Sequence, residues 1–524
     1  MAGGRFGLLG LLAGLAALVA ILPLGGIVAA ALTGETAAIP ARDIARYGAT
    51  SAILAVMVAL ATAVLGSVAA WLVVMHRFPG RDVFAWALAL PLAAPAFAVA
   101  YAYADLFDVA GDLRIWLRAV AGFDLPFEMR TIPGAAFILT CAFYPYVYLA
   151  MRAAFVNQSA HALEAARSLG CAPRQAFLRV ALPLARPALA AGVALAVMET
   201  LADYGAVKFL SVQTLTTGVV RAWFVFGSLT SAAQFALPLL GAAALLLWIE
   251  RWGRGGRGYE SANARWRPLP VTELKGAAAL AAHLFCLGLI TVSLLLPVGW
   301  LAVAFLGVTP DWPRLIQAGG NSLFLAMAGA GVTVALATAL ALGAARVPNL
   351  ARLASLGYAT PGAVMAIGLL VPAALVWRLA PGAAQGFGAG LIMLVYAYAA
   401  RLMAAALEPI DAGLSKVTPS MVQAARSLGR SPVGAAWRVQ LPMARGALLT
   451  AGLVVFVDIL KELPATLILR PFNFDTLAVI ADNYAQDERL ANAGWPAFLV
   501  VLIALPAVIW LTRKIAVSRP GAVP

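Results

Sequence analysis

Charge is what this sequence has least of. Only 11% of its 524 residues are Asp, Glu, Lys or Arg, against about a quarter in soluble domains. That excludes a disordered chain, a coiled coil and an ordinary cytosolic enzyme. Histidine and cysteine are scarcer still. His76, His161 and His283 are too scattered for a metal-ligand cluster. Cys141, Cys171 and Cys286 form no CxxC pair, so neither a zinc site nor a disulfide framework is indicated. None of the five lysines follows a glycine, so no Walker loop can cradle ATP phosphates. HExxH and GxSxG are missing as well. The chain reads as no enzyme on its own, binding no cofactor and no tight metal.

Apolar residues are what it has. They make up 63% of the chain and come in long runs, and about 20 such residues span a bilayer as a helix. Runs lie near 6–32, 50–75, 84–107, 132–156, 186–209 and 232–250. A second series lies near 277–306, 321–345, 353–379, 386–407, 446–469 and 495–512. The expectation is an all-α polytopic membrane protein with about twelve spans. A Gly- and Arg-rich stretch, RWGRGGRGYE, lies within the segment 251–276 that separates the series and reads as a solvated linker. The first run is longer than a signal-peptide core, so an uncleaved span is expected.

The net charge of +14 would suggest nucleic acid in a soluble protein. Here it sorts by side. The N-terminus, the loops 76–83, 152–186, 346–352 and 401–445, the linker and the C-terminus hold 25 of the 37 Lys and Arg residues. The positive-inside rule then puts both termini in the cytoplasm, with membrane lipid and no nucleic acid as surroundings.

The two series are copies. Residues 164–183 read EAARSLGCAPRQAFLRVALP and residues 423–442 read QAARSLGRSPVGAAWRVQLP, at a constant offset of 259. The expected organisation is a first half 1–250 with a loop at 157–186, the linker 251–276, and a second half 277–524 with a loop at 408–445. Parallel repeats of this sort face one another about an axis along the membrane normal. Each loop has a helical opening, a Gly that can end it, and a Leu-Pro before the next span. A helix resting on lipid needs only an apolar face and positive charge; a fixed Gly and Leu-Pro, twice over, suggest a protein socket.

Glu-Ala-Ala, three residues, Gly, nine residues, an aliphatic residue, any residue and Leu-Pro is the pattern of ABC-importer permeases, which this chain resembles. Glu164, Ala165, Ala166, Gly170 and Pro183 fit it in full. Gln423, Ala424, Ala425, Gly429 and Pro442 fit it except for Gln in place of Glu. The resemblance implies that each loop docks one copy of an ABC ATPase, which carries ATP and Mg, and that a periplasmic binding protein delivers substrate. It also implies a bacterial inner-membrane location. YPYVYLAMRAAF at 144–155, LADYGAVKFLSVQTLTTGVVRAWF at 201–224 and KELPATLILRPFNFDTLA at 461–478 look like the fused iron(III) permeases. Permeases for thiamine, aminophosphonate or polyamine are the alternative within the class, and an ion-coupled secondary carrier is the alternative outside it. A carrier needs no docking socket.

Ionisable residues in apolar runs are functional candidates. Glu199 and Asp203 stand four apart, and Asp458 and Glu462 stand at the same offset of 259 from them. Lys461 occurs only in the second copy. These five either line a cation path as weak oxygen ligands or serve as ion pairs and caps that tether the following loop. The segments 211–231 and 470–493 would face outward, where Arg221, Arg470 and Arg489 could meet acidic residues of a delivery protein.

Overall fold

A computed structural model describes residues 8–33, 39–108, 111–122, 127–156, 168, 170–171, 173–254, 271–344, 357, 360–379 and 386–517. Among these the chain is helical almost throughout, and one short parallel ladder joins β1 (His76–Arg77) to β2 (Thr272–Glu273). Ten helices are long and apolar enough to cross a membrane, and two bent pairs raise the number to twelve. The chain is an all-α multi-pass membrane protein, and its spans fall on the expected runs.

The first series comprises α1 (Leu8–Thr33), α2 (Ala41–Met75), α3 (Arg81–Ala87) with its bent partner α4 (Ala96–Leu106), and the short surface helix α5 (Asp112–Ala121). It continues with α6 (Ile132–Val156), then α7 (Phe177–Leu184) bent against α8 (Arg186–Ala202). Short α9 (Gly205–Phe209) and α10 (Leu215–Phe224) lead to α11 (Leu229–Arg254). The second comprises α12 (Gly276–Ala304), α13 (Trp312–Ala344), α14 (Gly362–Leu379) and α15 (Phe387–Leu414). After the loop helix α16 (Pro419–Ser427) come α17 (Pro432–Leu460), α18 (Pro464–Leu469), α19 (Leu477–Gln486) and α20 (Leu490–Val517).

Proline places the bends. Ala94 is extended, as a residue before proline prefers, and Pro95 opens α4 at 89° to the segment before it. Pro187 sits in the first turn of α8, where it offers no N–H and its ring crowds the carbonyl four residues back. The chain bends by 68° at Ala185. The equivalent residue in the second half is Gly446, and there α17 runs unbroken from Pro432 to Leu460.

Two compact units emerge, and each draws on both sequence halves. One holds residues 1–48, 213–244 and 310–487. Within it α1 packs on α14 and α13, and to a lesser extent on α15. The approach needs glycine. A Cβ on Gly26 would strike the carbonyl oxygen of Gly368, one on Gly368 would strike that of Pro23, and one on Gly343 would strike Ala13. Small residues at helix crossings are how backbones come close in lipid, where burial of apolar surface drives little.

The other unit holds residues 49–212, 245–309 and 488–524. Its core is aromatic. The buried Tyr144 and Tyr148 hydroxyls donate to the Leu88 and Ala85 carbonyls, both at 2.9 Å. Trp71 meets Phe155 edge-on at 5.5 Å and Phe177 at 4.7 Å. Here α12 packs on α4, and Trp300 Nε1 donates to Asp105 Oδ2 at 2.7 Å. Helix α20 packs on α12 and along the α3–α4 turn, with Arg513 over the Trp86 ring at 4.6 Å.

Packing boundaries therefore differ from the repeat boundaries 1–250 and 277–524. The opening span of each half, α1 or α12, packs on helices of the other half. Residues 255–270 of the linker lie outside the described residues; its far end forms β2. Residues 1–254 produced alone should not yield a monodisperse membrane protein by size-exclusion chromatography in detergent. Co-production with residues 271–524 should recover one. A well-behaved isolated half would show that the exchanged spans are dispensable.

Candidate functional site

The second-half loop is described in full. Pro419 at the first turn opens α16, a position that tolerates its missing N–H. Gln423, Ala424 and Ala425 lie on this helix, and none of its residues is buried. It ends in a complete Schellman motif. The Gly429 N–H donates to Arg426 O at 3.0 Å and the Arg430 N–H to Ala425 O at 3.2 Å, with Gly429 at φ +81°. Ser431 caps the next helix, its Oγ accepting from Gly434 N at 3.1 Å. In the first half, Glu164, Ala165 and Ala166 lie outside the described residues. Gly170 is described, with φ +82°.

Both loops then enter the fifth span through the same irregularity. Phe177–Ala181 and Ala436–Gln440 are π-helical, at the repeat offset. Leu182 and Leu441 donate to carbonyls five residues back. Pro183 and Pro442 follow within two residues. A proline leaves the carbonyl four residues earlier without a partner and crowds it, and a widened turn moves that carbonyl aside. Leu-Pro and the π turn are thus one device, and Pro442 sits inside a continuous helix instead of separating two.

The loop surface is apolar and basic. Leu428 is 82% exposed and Trp437 69%. Met443 is exposed, as are Leu178 and Leu184, the first-half equivalents of Trp437 and Met443. Arg426, Arg430, Arg438 and Arg445 surround them. Exposed large apolar side chains beside cations mark an interaction surface, for protein or for membrane.

The carboxylates sit at helix breaks. Helix α17 stops at Leu460 and α18 starts at Pro464. Between them the Glu462 side chain, almost fully buried, caps α18. Its Oε1 accepts from Ala465 N at 3.3 Å, and its Oε2 accepts from Thr466 N and Thr466 Oγ1, both at 3.2 Å. Arg401 Nη1 pairs with Oε1 at 3.5 Å, and the Tyr398 hydroxyl bonds Thr466 Oγ1 at 2.6 Å. Asp458 and Lys461 form an i,i+3 pair at 2.9 Å. In the first half, Asp203 Oδ1 accepts from Val207 N at 3.0 Å and caps α9, while the Asp203 N–H donates to Glu199 O at 2.9 Å. Lys208 lies 5.0 Å above the Tyr204 ring. Glu199 and Asp203 are half-buried. The capping geometry follows the repeat exactly as far as the peptide N–H, Val207 matching Thr466.

Arg401 is the residue that sequence reading misplaced. Assigned above to the 401–445 loop, it lies within α15, where its partner is a buried acid; Arg152 likewise lies buried within α6. An arginine inside an apolar run was the available signal. Of the arginines expected to face outward, Arg470 pairs with Asp475, and Arg221 donates to the Tyr47 hydroxyl at 3.2 Å. Helices α10 and α19 are each capped by a threonine, Thr214 or Thr476. Among the described residues no group of three or more His, Cys, Asp or Glu could hold a metal ion.

Residues 62–252 match the family described as "Binding-protein-dependent transport system inner membrane component". The chain is 26% identical over 476 residues to the Fe(3+)-transport system permease protein FbpB 2 of Haemophilus influenzae, 88% of each chain. It is 32% identical over 190 residues to the sulfate transport system permease protein CysT of Escherichia coli, covering 35% of this chain and 67% of that one. It is 30% identical over 155 residues to the putative 2-aminoethylphosphonate transport system permease protein PhnU of Salmonella typhimurium, covering 29% of this chain and 54% of that one.

Removing one partner of a buried ion pair costs roughly 3–5 kcal/mol. Arg401→Ala should therefore lower the thermal unfolding midpoint in detergent clearly. Arg401→Met combined with Glu462→Gln should restore most of the loss, because no buried charge is stranded. An unchanged midpoint in Arg401→Ala would show that the pair carries no stability.

Proposed function

The chain belongs to the family of binding-protein-dependent transport system inner membrane components, and from that premise we propose that it is the fused permease of an ATP-driven importer of ferric iron. The observation that carries the proposal is the duplicated loop. Two copies present a glycine in the left-handed region, the same π turn, and exposed apolar side chains with basic residues beside them in sequence. In this reading each copy docks one ATPase subunit, the first through Glu164, Ala165, Ala166, Gly170 and Pro183, the second through Gln423, Ala424, Ala425, Gly429 and Pro442. ATP and Mg belong to those subunits. Both termini are cytoplasmic in a bacterial inner membrane, and a periplasmic iron-binding protein delivers the substrate.

In the second half the π turn lies inside one unbroken helix, so displacement of the loop is passed to the span; in the first half a 68° bend at Ala185 separates the π turn from the span. Rigid-body rocking then opens the path to each side in turn. On the path, Glu462 is matched by Arg401 and Asp458 by Lys461. Asp203 has no basic partner among the described residues, so the role of weak oxygen ligand for a passing hard cation falls chiefly to Asp203, beside Glu199. Iron is favoured as substrate by likeness to FbpB 2 along 88% of both chains. An anion importer is the second reading, favoured by the partial likeness to sulfate and aminophosphonate permeases.

Radiolabelled ferric iron should accumulate in a deletion strain only when this chain is restored; accumulation of labelled sulfate or aminophosphonate instead would favour the second reading. Asp203→Asn should cut iron uptake severalfold while leaving ATPase co-purification intact. Gly429→Val puts a branched residue at φ +81°, a strain of about 1–2 kcal/mol. It should weaken ATPase co-purification with normal membrane insertion, and Gly429→Asn, which tolerates that conformation, should be milder. Equal co-purification by all three would count against docking through this turn.

A further inference from the structure

Helices α1 and α14 touch at Gly26 and Gly368, where neither has room for a Cβ. Beyond that crossing they leave a cavity of about 680 Å³, lined along α1 from Leu18 to Ala30, along α14 from Val371 to Arg378, and by Leu229 and Thr230 at the start of α11. The volume is that of a small-molecule site. Its walls are apolar except at one end. Leu18, Leu22 and Leu375 stand exposed along it, and Arg378, in the last turn of α14, is the one charged residue among those lining it. No acid among the described residues pairs with Arg378. A Cβ on Gly25 would meet nothing within 4 Å, so the cavity is open to a side chain there.

All three wall helices are membrane spans, so the medium against this cavity is lipid. An empty apolar groove forfeits dispersion contacts along its lining, and acyl chains are the material at hand to fill it. A cation at the end of a span reaches the headgroup level. We propose that the groove is a phospholipid site, with one acyl chain lying between α1 and α14 and the lipid phosphate at Arg378. The bound chain continues the packing that the Gly26–Gly368 contact begins, and so holds α1 on helices of the other sequence half. The proposal rests on the membrane-spanning assignment alone and is independent of the transported substrate. On the orientation proposed above, the lipid belongs to the outer leaflet.

The test uses the full chain in detergent with phosphatidylglycerol carrying a photoreactive acyl chain, and diacylglycerol with the same chain as the control. After illumination, adducts are mapped by peptide mass spectrometry. Labelling by phosphatidylglycerol should concentrate on 18–30 and 371–378. Arg378→Gln should reduce it about fivefold, the worth of one basic side chain facing an anionic headgroup, without altering labelling by diacylglycerol. Gly25→Leu should abolish both by filling the groove. Ala374→Leu on the opposite wall should do the same and guards against a folding defect in the first variant. Adducts spread evenly over all spans, or unchanged in both filling variants that elute normally from size exclusion, would overturn the site. Equal labelling by the two lipids in the unaltered chain would overturn the role of Arg378.

Discussion

A peptide group in hydrocarbon must find its hydrogen bond within the protein. A straight span meets that demand by itself, but this chain breaks its spans repeatedly, and each break leaves N–H and C=O groups to satisfy. Much of the polar composition is consumed there. Glu462 serves two peptide N–H groups of α18, and Asp203 serves one of α9. Thr214, Ser431 and Thr476 cap further starts. The acids that look most like ion ligands are therefore also the residues that make the helix breaks possible. A structural duty and a transport duty are compatible in one carboxylate, since a capped acid still presents lone pairs.

The second constraint is that lipid offers little reward for helix association. Contacts must come from close approach or from hydrogen bonds. Both occur, and both units use glycine: in the unit containing α12 a Cβ on Gly66 would strike Val147 and Tyr148. The unit containing α1 relies on glycine crossings, at Gly26, Gly343 and Gly368. The unit containing α12 also relies on large aromatics whose polar ends reach carbonyls or carboxylates, as Tyr144, Tyr148 and Trp300 do.

Most of the architecture was legible in advance. Span positions follow from apolar runs because length and hydropathy are local properties, and the loop turn was announced by a repeated Gly that now stands at φ +81° and +82°. What escaped was non-local or depended on one residue. The exchange of α1 and α12 leaves no mark on either helix alone. Arg401 lay near the edge of an apolar run and was counted with a loop, although its partner was a buried acid 61 residues away. The bend at Ala185 hinges on Pro187 having Gly446 as its counterpart, a difference just past the repeated segments 164–183 and 423–442. Leu-Pro marks the place before the next span, but a π turn that accommodates proline has no signature except the proline.

The packing of α1 carries a consequence for biosynthesis. Its helical partners begin at Trp312, so roughly 280 residues separate the end of α1 from their appearance. At about 5–20 residues per second of synthesis, α1 spends on the order of 15–60 s in the bilayer before those partners exist. It must be at home in lipid from every side. Between Leu8 and Thr33 it carries no charge at all, and of the candidate spans it is the most hydrophobic. The composition of this helix answers to its waiting time as well as to its final place.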